Sequence, residues 1–172
     1  MTIPKPPSQP GCEWVEECIE SCDAISVHVE EKGVGATFLN PRQKQIRKVH
    51  YDGCYNITPS GLKADYILGE PDAVDVIIEL KGSDLKHGSA QVASTLEAWR
   101  LNPIRFRKIV CLIVFGRIEG RRKKAGRTPR MNSLKESVER EFLRTHKTLL
   151  WVRESGSEQF RFNDFLRKTN VR

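Results

Sequence analysis

Apolar positions along the chain follow two different periods, and the switches between them predict the order of elements. Segment 12–22, CEWVEECIESC, has apolar side chains at 14, 15, 18, 19 and 22, with Glu13, Glu16, Glu17 and Glu20 on the remaining arc. That spacing predicts an amphipathic helix. Residues 24–30 and 35–39 are short and extended in flavour around a Glu-Lys-Gly turn. Weak alternation over 45–58 predicts a strand before the turn Pro59-Ser60-Gly61. Residues 64–68 (ADYIL) and 74–80 (VDVIIEL) read as two strands joined by the turn Gly69-Glu70-Pro71-Asp72, a hairpin rich in β-branched residues. Residues 85–100 return to helical spacing at Ala90, Val92, Ala93, Leu96 and Trp99, and Pro103 closes that helix off.

Farther on, 109–115 (IVCLIVF) is an unbroken apolar run, which predicts a strand buried on both faces in the middle of a sheet. Ser133 is placed to cap a helix over 134–146, with Glu136 completing a capping box. Residues 148–153 and 159–162 read as closing strands, paired as a hairpin across 154–158. The alternation of helices and strands fits an α/β layer protein. Residues 1–11, with four prolines, read as a flexible leader, and 12–172 as one domain. Within it 12–116 forms the core, 117–130 a basic loop, and 131–172 a C-terminal helix and strands.

Composition narrows the class. The 172 residues are 38% hydrophobic and 30% charged, within the globular range, and no apolar run approaches the ~20 residues of a membrane span. Five cysteines at irregular spacings predict reduced thiols in a cytoplasmic protein. Three of them crowd the first predicted helix, but the absence of a CxxC pair and of a histidine at ligand spacing speaks against structural zinc. The net charge of +7 is concentrated: RIEGRRKKAGRTPR, residues 117–130, holds seven Lys/Arg against one acid. A run of that kind suits a polyanion such as nucleic acid, with Arg121, Arg122, Lys123, Lys124 and Arg127 as candidate phosphate contacts; on its own it reads equally well as a solvated loop.

The candidate chemistry lies between 63 and 97. Side chains two apart in a strand share a face, so Glu79 and Lys81 stand side by side while Ile78 and Leu80 point into the opposite layer. A hairpin turning near 70–73 brings Asp65 across from that pair. Two carboxylates side by side make a hard oxygen site suited to Mg²⁺, with Mn²⁺ as a substitute, and the neighbouring ammonium is placed to orient water or neutralise phosphoryl charge. Asp75 shares the face of Glu79 and is a further candidate to help a metal. Asp52 reads as a turn residue, and Lys86 with His87, at the start of the following helix, as candidate phosphate contacts. The alternative for an isolated Glu-x-Lys is a structural salt bridge.

The run ADYIL, VIIELKG and a downstream Gln resembles the core of the PD-(D/E)XK nuclease superfamily, as in Holliday-junction-resolvase-like, RecB-like and restriction-endonuclease-like proteins. The resemblance covers 12–116. It implies a three-layer α/β/α restriction-endonuclease-like fold with a central mixed β-sheet, and a Mg²⁺-dependent nuclease, with DNA endonuclease as the leading form. By the same resemblance Asp65 is the strand-opening aspartate, Glu79 and Lys81 the paired acid and lysine, and Gln91 the polar residue of the following helix. The family's first-helix glutamate would fall at Glu16 or Glu17. Ala64-Asp65 stands where the family name has Pro-Asp. A homodimer, or a partner protein that delivers substrate, suits so short a chain. The alternatives are a catalytically inert nucleic-acid-binding domain and a protein-interaction domain of the same fold.

Overall fold

The computed structural model describes residues 8–52, 61–81, 84–106, 108–116, 129–156 and 159–167. Seven strands form one mixed sheet in the order β1 (Cys12–Trp14), β2 (Ile19–Cys22), β5 (Ile46–His50), β6 (Tyr66–Glu70), β7 (Val74–Lys81), β8 (Lys108–Phe115) and β9 (Leu150–Glu154). Pairing is antiparallel from β1 to β7 and parallel from β7 to β9. A second sheet holds β3 (Ser26–Glu31), β4 (Val34–Leu39) and β10 (Phe160–Arg161). The helices are α1 (Leu85–Arg100), α2 (Pro129–His146) and α3 (Phe162–Arg167).

The hairpin β6–β7, helix α1 and strand β8 lie where hydrophobic periodicity puts them. Seven of the eight residues of β7 are buried, because both faces of the strand are covered. On one side Ile67, Ile77, Cys111 and Ile113 pack beneath Val92, Leu96 and Trp99 of α1 and Phe142 of α2. On the other, Val76, Ile78, Leu112 and Val114 meet Val27, Val29 and Phe38 of the small sheet and Phe165 of α3. The fold is thus mixed α/β, but its third layer is a three-stranded sheet carrying one short helix. That replaces the helical third layer of the expected α/β/α sandwich.

Several expectations give way. Segment 12–22 is two antiparallel strands, with Cys12 opposite Cys22 and Trp14 opposite Glu20. Cross-strand pairing buries Ile19, Glu20 and Cys22 without the helix that the apolar spacing suggested. A disulfide joins Cys12 to Cys22, and Cys18 is disulfide-bonded as well, so the expected set of five reduced thiols is wrong for this state of the chain. Among the described residues Cys111 is the free cysteine; it is fully buried, and burial pushes its thiol well above the usual range. Strand β8 is an interior strand but penultimate in the sheet, since only β9 lies beyond it. Helix α2 begins at Pro129, four residues ahead of the expected Ser133 cap. Strand β10 pairs parallel with β4 in the second sheet, so it forms no hairpin with β9, and the chain then turns into α3. Within the expected leader, Gln9 is tied down: its side chain donates to Ser26 O and accepts from His28 N. Among the described residues no helix is long and apolar enough to cross a membrane.

Candidate active site

The register of the hairpin places Asp65 level with Glu79. Tyr66 pairs with Ile78 and the Asp65 amide donates to Ile78 O, so the next residue along each strand meets across the ladder. Asp65 Oδ2 accepts from the Leu80 amide at 2.6 Å, which fixes the carboxylate against β7. Helix α1 fixes the approach to this position. Its Thr95 hydroxyl, fully buried, accepts from the Ala64 amide, and one turn earlier Gln91 Nε2 donates to Lys63 O. Residues four apart on a helix share a face, so α1 clamps the two residues that lead into Asp65.

Gln91 has a second task. Its Oε1 accepts from Lys81 Nζ at 2.6 Å, while the same ammonium lies 3.5 Å from Glu79 Oε1. Lys81 is therefore held beside the carboxylates by a helix residue. Glu79 is 2% exposed, and its Oε2 is buried and accepts no hydrogen bond among the described residues. A bare buried carboxylate oxygen is expensive, of the order of 1–3 kcal/mol or more, unless a cation or a proton completes it. The buried Gly88 of α1 lies against Glu79; a Cβ there would stand 3.5 Å from Glu79 Cγ. The first turn of the helix thus closes over the carboxylate.

Electrostatics mark the same spot. Burial, opposed by the Leu80 amide and reinforced by Glu31 and Asp52, pushes Asp65 up to about 7. Burial, with Asp65 added to it and Lys81 opposing, pushes Glu79 up to about 8. Glu31, at the end of β3, is near enough to the Asp65 carboxyl to help raise it. Acids converging in a site of low polarity hold protons that a divalent cation can replace.

The four central residues predicted from sequence, Asp65, Glu79, Lys81 and Gln91, are brought together. Lys86 is exposed on α1 beside them. Glu16 and Glu17 are not on a helix: both are exposed in the turn between β1 and β2, and β5 and β6 lie between that hairpin and β7. Arg121, Arg122, Lys123, Lys124 and Arg127 lie outside the described residues. Strand β8, which precedes them in the chain, ends next to the site, since the Gly116 amide donates to Lys81 O. Glu31 was missed by sequence reasoning. It precedes a Lys32-Gly33 turn and belongs to the second sheet, and nothing local in the sequence shows that β3 ends against Asp65; only the Tyr66 hydroxyl bond to Glu30 O reveals that docking. Asp75, the other candidate on this face, is occupied elsewhere: Arg47, Trp99 Nε1 and the Phe106 amide satisfy both of its oxygens.

No protein-family model, curated protein or solved structure matches the chain.

Proposed function

We propose that the chain is a divalent-metal-dependent nuclease that hydrolyses phosphodiester bonds, with DNA endonuclease as its form. The observation that carries this reading is the bare, buried Oε2 of Glu79, set beside Asp65 and an ammonium held by Gln91. The donor set fits Mg²⁺ or Mn²⁺: it consists of carboxylate oxygens, and a hard cation takes one or two such carboxylates and leaves its other positions to water and phosphate. Asp65 and Glu79 would hold the ion, with Glu31 as a third carboxylate within reach of Asp65. When bound, the cation supplies Lewis-acid polarisation of the phosphoryl oxygen and a more acidic water.

The chain's own residues do the rest. Lys81, oriented by Gln91, places a positive charge where the attacked phosphoryl group gains negative charge. The Leu80 amide keeps Asp65 aimed at Glu79. The first turn of α1, from Leu85 to Gly88, covers Glu79 and limits water to the open side of the site. Lys86, exposed in the first turn of α1, and the basic run 117–130 offer positive charge to a polyanion, and phosphate contacts of that kind position the backbone without reading bases. A dimer or a partner that delivers substrate would supply the specificity that this small site lacks.

The test is incubation with single-stranded, duplex and branched DNA and the matching RNAs, in Mg²⁺, in Mn²⁺ and in excess chelator. Metal-dependent cleavage that disappears in Asp65→Ala supports the reading. Full cleavage in chelator, or no cleavage of any substrate in either metal, overturns it.

A further inference from the structure

A second cluster of metal-ligating side chains lies two strands away, on the opposite face of the large sheet. By the period of two, Glu20 and Cys22 share a face of β2, and the register puts Trp14 and Cys12 of β1 opposite them on one side and Lys48 and Ile46 of β5 on the other. One oxygen of Glu20 and the sulfurs of Cys12 and Cys22 lie within 4.8 Å of one another. Glu20 is 1% exposed, and Cys22 is fully buried. Glu20 Oε1 is engaged by His50 Nε2 and lies 3.3 Å from Lys48 Nζ. Glu20 Oε2 is buried and, among the described residues, accepts no hydrogen bond.

We propose that this cluster is a redox-gated zinc site, in which reduction of the Cys12–Cys22 disulfide frees two thiolates that bind Zn²⁺ together with Glu20. A dithiol reductant gives the disulfide two electrons and two protons and is itself oxidised to a disulfide. Zn²⁺ then displaces both thiol protons, so each ion bound releases two protons to solvent. The ligand chemistry selects the metal: two soft thiolates favour zinc over the hard cations that suit Asp65 and Glu79.

Charge balance favours the exchange. With the disulfide closed, the buried cluster holds the Glu20 carboxylate against Lys48 and His50. Two thiolates and one Zn²⁺ add no net charge, so the bound state needs no further counter-ion in a poorly solvated place. Geometry allows it too. Zinc-to-sulfur distances of about 2.3 Å in a tetrahedron put the sulfurs roughly 3.8 Å apart, a span that side-chain rotation across one antiparallel pair supplies. His50, engaged with Glu20 and covered by the Trp14 ring at 4.7 Å, orients the carboxylate. The fourth position is left to water. A closed disulfide and a zinc thiolate site are then two states of one corner of the fold.

The experiment titrates Zn²⁺, with Co²⁺ as the spectroscopic probe, into the full chain carrying Glu79→Gln, so that the carboxylates on the other face do not contribute. Oxidised and reduced preparations are compared. The reduced chain should bind one equivalent and show thiolate-to-cobalt charge-transfer absorption, and the oxidised chain should show neither. Cys22→Ser should remove the absorption, and Glu20→Gln should weaken binding by at least the ~10–100-fold that loss of even an outer-shell partner costs. Cys18→Ser should leave the site in place. A reduced chain that takes up no zinc overturns the proposal; so does absorption that survives Cys22→Ser but vanishes in Cys18→Ser. Because the oxidised and reduced samples share one sequence, the difference between them does not depend on any cysteine variant folding, nor on whether the chain cleaves nucleic acid.

Discussion

Asp75 and Glu79 lie on the same face of the same strand, four residues apart, and both are buried, yet they are in opposite conditions. Asp75 is fully satisfied: Oδ1 accepts from Arg47 at 2.9 Å, and Oδ2 from Trp99 Nε1 at 2.9 Å and the Phe106 amide at 2.7 Å. Its register partner is Gly69, where a Cβ would come within 2.7 Å of Asp75 Oδ1 and 2.8 Å of Phe106. The sequence thus keeps a glycine so that this network can close. Glu79 has one ammonium 3.5 Å from Oε1 and, among the described residues, nothing on Oε2. One end of β7 is finished as structure, and the other is left incomplete in the way a ligand would complete it. A buried carboxylate with both oxygens engaged is held as structure, whereas one with a bare oxygen leaves a place that a cation or proton can fill.

The largest expected effects separate the two ends. Glu79→Ala or Asp65→Ala should lower metal-dependent cleavage by more than about a thousandfold, since the cation and its activated water are lost together, while thermal stability holds or rises. Asp75→Ala should do the reverse. It leaves the partly buried Arg47 unpaired, at a cost of roughly 3–5 kcal/mol, or about 10 °C of melting temperature for a domain of this size. Melting curves and cleavage rates measured on the same preparations check both. A Glu79→Ala chain that melts as low as Asp75→Ala would erase the distinction.

The two carboxylates also show how far the sequence could be read. The alternation in VDVIIEL and the turn before it place Glu79, Lys81 and Asp65 correctly, because a hairpin is local and its register follows from its turn. Gln91 is marked only by the resemblance to the PD-(D/E)XK core, and α1 brings it to Lys81. What fails is non-local. In CEWVEECIESC the apolar spacing satisfies a helix, but Cys12 and Cys22 pair across two strands, and only the sheet they join reveals it. Glu31 comes to Asp65 from a different sheet, and Asp75 is distinguished from Glu79 only by Arg47, Trp99 and Phe106, which lie far from it in sequence. The short strand β10 is apolar enough to read as a closing strand, but its partner β4 lies far earlier in the chain, beyond the reach of local pattern.

A smaller effect tests how the site is held. Lys81→Ala should reduce the rate at saturating substrate without weakening Mn²⁺ binding, because an ammonium is not a ligand. Gln91→Ala should act in the same direction by about 10–100-fold, since the lysine loses its orienting partner. Equal losses of Mn²⁺ affinity in both variants would show instead that α1 supports the carboxylates.

The smallest effect is on stability against pH. Asp65 and Glu79 are raised by burial, from 3.8 to about 7 and from 4.5 to about 8. Each therefore binds its proton more tightly in the folded chain than in the unfolded one. Their contribution is fully present below about pH 4 and is lost as pH rises through 7 to 8. Metal-free protein should lose melting temperature between pH 5 and pH 9, and Glu79→Gln should remove much of that loss. Mn²⁺ should restore the loss in the wild type, because the cation replaces the protons. A melting temperature that rises over this range would reverse the assignment.

The most direct measurement is calorimetric titration of Mn²⁺ at pH 8 into wild type, Glu79→Gln and Asp75→Asn, with Cys12–Cys22 oxidised and each sample then assayed for cleavage of duplex DNA. Mn²⁺ binding and cleavage should be retained in the wild type and in folded Asp75→Asn, and both should be lost in Glu79→Gln while its fold stays intact. Binding and cleavage that persist undiminished in Glu79→Gln would contradict the account.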